Sequence, residues 1–354
     1  MTLDPRTPTR TSLPRLLAAP AAGPVVGLTA AVLATSVGAW LTEPGPVPGL
    51  VLPPQLVEFG VPLARVLLDV SLTAVLGLGL LPLLFSRRQA AELRPVLALA
   101  YRGALVAALC WLTAALVSVV LQTAELAPVA GVTATTLSDY VRNFSGAQAL
   151  LATACVAAFA AALAGIGIRA PGQLPARLLV VTVGVGLLPL LATGHSGELS
   201  ARWHDLTMVS LELHVFAATA WTGGLAAVAA LLLTRPALLA RALPRFSGLA
   251  GGCLAVVGAT GVLNAFVELA TTPGVRVPAA LFSSHYGQLV LVKAGCLAVL
   301  ALFGGHIRFR LLPSVARGHR TVLAGWIAGE LAVMGVAFGI AVVLSRSGVL
   351  PAGG

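Results

Sequence analysis

The run from Met208 to Leu233, MVSLELHVFAATAWTGGLAAVAALLL, decides the fold. As an α-helix it would extend about 39 Å at 1.5 Å per residue, enough to cross a hydrocarbon core of ~30 Å. Only two ionisable groups, Glu212 and His214, interrupt it. With that run taken as a span near 207–233, eight more apolar runs fall into place near 22–42, 61–85, 96–121, 147–168, 177–194, 246–270, 286–307 and 321–344. The whole chain has the same character: of 354 residues 58% are hydrophobic and 10% charged, with a mean hydropathy of +0.97. Soluble domains carry about 25% charged residues. The expected fold is all-α, a polytopic transmembrane helical bundle of about nine spans that meets lipid over most of its surface.

The net charge of +10 comes from arginines at the ends of the apolar runs and a single lysine, Lys293. With the N-terminus inside, sixteen arginines fall in cytoplasmic segments and four, Arg142, Arg202, Arg276 and Arg346, outside. This bias predicts a cytoplasmic N-terminus and argues against a nucleic-acid partner, which would call for a clustered basic face. Residues 1–20 form a cytoplasmic tail, 21–200 a region of about five spans, 201–345 a four-helix domain and 346–354 an extracytoplasmic tail. No small-residue cleavage site stands out near Trp40 and Leu41, so the first run is expected to remain as a span. Cys110, Cys155, Cys253 and Cys296 each stand alone in an apolar run, which suggests neither a disulfide framework nor a zinc site.

Two stretches echo each other four spans apart. LSDYVRNFSGAQALLATACVAAFAAALAGIGIR, from Leu137, resembles LFSSHYGQLVLVKAGCLAVLALFGGHIR, from Leu281, with Gly146 and Cys155 spaced as Gly287 and Cys296. The approach to the third span, SRRQAAELRPVLALA, likewise echoes TRPALLARALPRFSG before the seventh. Spans two to five and six to nine would then be parallel four-helix repeats about an axis along the membrane normal. GxxxG spacing at Gly248 and Gly252, Gly325 and Gly329, and Gly335 and Gly339 offers places for close helix contact.

Ionisable groups within a bilayer cost about 2.5–3.5 kcal/mol on insertion scales, so each requires a partner or a function. Asp69, Glu212, His214, Glu268, Lys293 and Glu330 are of this kind, with Asn264 one turn from Glu268. In the predicted orientation Glu212, His214 and Lys293 lie at a similar depth below the outer surface, and Asn264 and Glu268 near the outer end of the seventh span. The segment GHSGELSARWHDLTMVSLELH adds His195, His204 and Met208, and His285 opens the eighth span near the same surface. Imidazole and thioether are both donors that transition-metal ions accept. These five side chains, His195, His204, Met208, His214 and His285, are the candidate metal ligands, although a Glu–Lys pair that merely lowers insertion cost also accounts for part of the pattern.

The order of these segments resembles the CopD family. The resemblance is carried by HVFAATAWTGGLAAVAAL from His214, with Trp221, Gly223 and Gly224; RFSGLAGGCLAVVGATGVLNAF from Arg245; SSHYGQLVLVKAGCLAVLALFGGHIR from Ser283, with Tyr286, Gly287 and Lys293; and Glu330-Leu331 in the last span. It implies a multi-pass protein of the bacterial plasma membrane that handles copper and moves it across that membrane without enzymatic chemistry. It also implies a separate extracytoplasmic copper-binding partner of the CopC type. The scarcity of methionine, three in the chain, departs from thioether-lined copper paths. A buried histidine seven residues before Trp221 also resembles HemJ-type protoporphyrinogen oxidases, which implies haem as an alternative cofactor. A third reading is an assembly partner delivering copper to a respiratory oxidase.

Overall fold

The structure is a computed structural model that describes residues 22–41, 53–86, 89–170, 174–175, 177–192, 201–272, 276–311 and 320–345. Its helices in chain order are α1 (Ala22–Leu41), α2 (Gln55–Leu80, closed by a 3₁₀ turn Leu81–Leu84), α3 (Ala90–Leu126), α4 (Ala134–Asn143), α5 (Ser145–Arg169) and α6 (Arg177–Ala192). They continue as α7 (Ala201–Leu232), α8 (Pro236–Thr271), α9 (Val277–Ser283), α10 (His285–His306, ending in a π turn Ile307–Leu311) and α11 (Arg320–Leu344). Eight of these are long and apolar enough to cross a membrane. The exception among the expected spans is α6, whose 16 described residues extend about 24 Å. Pro189, inside its last turn, withholds a backbone N–H from the helix ladder.

The main core fills the space between α2, α3, α5 and α7, where Leu68, Leu72, Leu76, Trp111 and Leu232 are almost wholly enclosed. Lipid offers helices no hydrophobic reward for associating, so close approach depends on small residues. Such contacts occur at two interfaces. At the first, a Cβ on Gly335 would strike the carbonyl of Gly27, and one on Gly339 would strike the backbone at Ala31 and Thr35. Gly38 faces Val343 farther along, so contacts advance together along α1 and α11. The first and last spans therefore run parallel. At the second interface α2 and α7 cross with Gly77 against Gly223. The expected contact at Gly335 and Gly339 is thus real, whereas Gly248, Gly252 and Gly325 face open space.

The crossing of α2 and α7 also reveals the repeat. Gly77 and Gly223 are each the 23rd residue of their helices. Four residues before each stands a threonine, Thr73 or Thr219, whose hydroxyl donates back to the carbonyl one turn earlier, at 2.6 and 2.8 Å. The next helices, α3 and α8, have 37 and 36 residues with an internal proline near the start, Pro95 and Pro244. Then a short helix turns a corner into a span in both halves. At those corners Gln148 donates to the carbonyl of Arg142 (3.3 Å) and Gln288 to that of Phe282 (3.2 Å), each reaching back six residues. This geometry moves the sequence register by one residue: Ala147, not Gly146, corresponds to Gly287. A Cβ at Gly287 would collide with the Ala280 carbonyl, while one at Gly146 would only rest 3.6 Å from the Tyr140 hydroxyl.

Candidate functional site

The motif residues of α7 act first as joints. Gly223 lets the backbone of α7 meet that of α2 at Thr73 and Gly77, and the neighbouring Gly224 lies under the ring of Phe246 from α8. Trp221, 4% exposed, turns its indole toward α11, where the carboxyl of Glu330 faces it. The indole N–H is enclosed without an acceptor in full hydrogen-bond geometry. Three helices, α2, α8 and α11, are thus referenced to one level of α7.

Arg245, Phe246 and Ser247 divide their contacts in the same way near the start of α8. Arg245 donates to the carbonyl of Leu84 at 2.8 Å, closing the last turn after α2, and Phe246 covers Gly224. Ser247 receives the Arg308 guanidinium at 3.4 and 3.5 Å. At the outer end the Ser284 hydroxyl caps α10 by accepting from the Gly287 N–H at 3.0 Å. Gly287 itself allows α9 and α10 to close their corner, so Gly287 is explained by packing.

Between these two ends the polar groups gather. His214, on α7, places Nδ1 3.0 Å from the hydroxyl oxygen of Thr260 on α8. The carbonyl of Val257 and Gly261 of α8 also border its ring. From α10 the ammonium of Lys293 lies within electrostatic range of the imidazole, and Cys296 stands one turn away beside Lys293. One turn outward from Thr260, Asn264 has an enclosed Oδ1 without a hydrogen-bond partner. A turn farther out Glu268 faces Tyr286, which packs with Leu269 and Ala280. The result is a line of polar groups from the outer ends of α8 and α10 to His214, about 12 Å along α7 from Leu206, where its apolar stretch begins. Much of these two helices faces outward: only 17% and 6% of the most apolar windows of α8 and α10 are buried.

The other predicted residues fall in different places. Asp69 belongs to α2 and pairs with Arg65 one turn earlier, at 3.3 Å, so its partner is local. Glu212 is partly buried on α7, and Met208 packs at the margin of the main core. His285 is exposed at the start of α10. His204 lies on α7 with its side chain outside the described residues, and His195 lies outside them altogether. Among the described residues no three His, Cys, Asp or Glu side chains gather around a position for one metal ion. Thr260 escaped the sequence reading because a threonine in an apolar helix looks like a back-bonded packing residue; its one distinguishing sign is its place one turn before Asn264. Cys296 was read as packing, although it follows Lys293 by three residues and so shares its helix face.

Comparison with known proteins bears on both halves. The family model described as Copper resistance protein D matches residues 240–344, and that described as Copper resistance protein D-like, N-terminal domain, matches residues 56–204. Most of α7 lies between the two matches. The copper transport protein CutJ of Bacillus subtilis (strain 168) is 33% identical over 150 residues, which is 40% of this chain and 26% of that protein. The match therefore spans about a quarter of the relative's length. No solved structure matches the chain. Two matches in the same order as the two repeats, one on each half, place this membrane-embedded chain in the copper resistance protein D, or CopD, family.

Proposed function

We propose that the chain carries copper across a bacterial plasma membrane through its C-terminal repeat, with His214 as the ligand inside the bilayer. The supporting observation is the meeting of His214, Thr260 and Lys293 from three helices at one level. A histidine inside lipid is costly unless it has work or a partner, and imidazole is a good copper donor in either oxidation state. The carboxylate of Glu268 and the amide oxygen of Asn264 supply oxygen donors nearer the outer surface, and His285 and the histidines of the preceding loop would collect ions there. A CopC-type protein outside the membrane is the fitting source or recipient of the ion. The relative's name, copper transport protein, supports the same reading. No bond is made or broken in this activity, so the protein is a carrier and not an enzyme.

The test compares cells making the wild-type protein with cells making His214→Ala at equal membrane abundance. Protein-dependent copper accumulation, measured as metal per cell, is expected to shift at least tenfold toward the level of cells lacking the protein. Wild-type copper content in the variant strain would remove His214 from the path.

A further inference from the structure

The hydrogen bonds around His214 specify which of its nitrogens is free. A threonine hydroxyl has one proton and can accept on its remaining lone pairs. Thr260 lies 2.6 Å from the Val256 carbonyl one turn back, the short, back-bonded geometry in which that proton is donated to the helix. Its Oγ1 is therefore an acceptor toward His214 Nδ1 at 3.0 Å. A second acceptor, the carbonyl of Val257, faces the same ring. An unprotonated Nδ1 would set its lone pair against that of the Thr260 oxygen, leaving two acceptors face to face in a medium without water to separate them. Nδ1 must carry the hydrogen.

We infer that Thr260 is a positioning residue: it holds neutral His214 as the Nδ1–H tautomer, so that Nε2 presents its lone pair to a soft monovalent metal ion. This rests on the carrier reading for its ligand and on the hydrogen-bond geometry for its tautomer, and the two parts are separable by experiment. Partners that orient a ligating imidazole commonly matter by 10–100-fold in metal affinity.

The experiment uses the full chain in lipid nanodiscs at pH 8, labelled with ¹⁵N-histidine, with His214 identified as the resonance pair missing from His214→Gln. Wild-type Nδ1 is expected at the protonated, pyrrole-type position and Nε2 at the pyridine-type position. Silver(I), a diamagnetic stand-in for Cu(I), is expected to move Nε2 and to bind about tenfold more weakly to Thr260→Val, with Thr260→Ser restoring wild-type affinity. The serine variant keeps the hydroxyl and shows whether any loss in Thr260→Val comes from the missing oxygen or from disturbed folding. A pyridine-type Nδ1 in the wild type, or unchanged affinity in Thr260→Val, overturns the positioning role. A protonated Nδ1 with neither nitrogen responding to silver overturns the ligand assignment and the carrier reading with it, while leaving the tautomer in place.

Discussion

The two halves of this protein use one arrangement of helices to opposite ends. In the first repeat α3 is drawn against α5 and α6 by aromatic rings set into glycine notches: Tyr101 occupies the space over Gly167 of α5, and Trp111 that over Gly186 of α6. In the second, polar groups of α7, α8 and α10 meet instead. Counting back nine residues from the touching glycines, the counterpart of His214 is Leu68; counting from the paired glutamines, the counterpart of Lys293 is Thr153. Leu68 and Thr153 have no exposed surface. The first copy is filled at these positions, and the second carries partly buried polar side chains there. That contrast fits the general observation that functional sites break the rules a stable core follows.

The largest test strikes the axis joining the copies. Adding a single methyl at Gly223 would place a carbon against the backbone of α2, which cannot yield without moving the helix, whereas the same change at Gly224 meets the edge of the Phe246 ring, which can turn. Gly223→Ala is expected to destabilise the protein by about 3 kcal/mol, the upper range for overpacking, and Gly224→Ala by about 1 kcal/mol. Thermal unfolding in detergent, followed by tryptophan fluorescence, ranks the two. Equal loss in both variants would show that the helices are not fixed against each other at Gly77 and Gly223.

An exchange between the copies comes next. Thr153→Lys puts an ammonium at an enclosed position in a tightly packed interface and is expected to lower the yield of folded protein, by an insertion cost of about 3 kcal/mol. Lys293→Thr removes a partly buried ammonium and should leave folding intact. It is also expected to raise copper(I) affinity, because the ammonium repels a cation held at the neighbouring imidazole. Yield from membranes and equilibrium metal binding check the pair. If Thr153→Lys is accepted as readily as Lys293→Thr, the contrast in packing between the repeats is without consequence.

How much of this could be read beforehand depended on the range of the interaction concerned. The spans were legible because bilayer thickness imposes a length on every one. His214 and Lys293 stood out by their type alone, since ionisable groups are rare in lipid. Their meeting was foreseeable from depth, but Thr260 was not, because its role arises only when α8 brings it beside α7. The same limit hid the sense of the Gly-Gly pair, whose two members face different helices. Asp69, an intramembrane carboxyl that called for a partner, has one in Arg65, four residues before it. The one-residue error in the repeat register followed from aligning Gly146 with Gly287 by identity, when the corner in the chain depends on where the glutamine side chain folds back.

The smallest test concerns the link between the repeats near the start of α8. Arg241 of α8 donates to the carboxylate of Glu92 on α3 at 2.6 Å, and both side chains are well exposed, 44% and 58%. Exposed ion pairs contribute about 0–1 kcal/mol, because water screens the attraction and ordering two long side chains costs entropy. Arg245, reaching the Leu84 carbonyl a turn farther along α8, makes a second link in a more sheltered place. A double-mutant cycle of Arg241→Ala and Glu92→Ala is therefore expected to give a coupling of about 0.5 kcal/mol, diminishing with added salt, with copper accumulation unchanged. A coupling several times larger would mean that the two copies are held together by charge at their inner ends, and the glycine crossing of α2 and α7 would lose its place as the joint on which the second repeat is mounted.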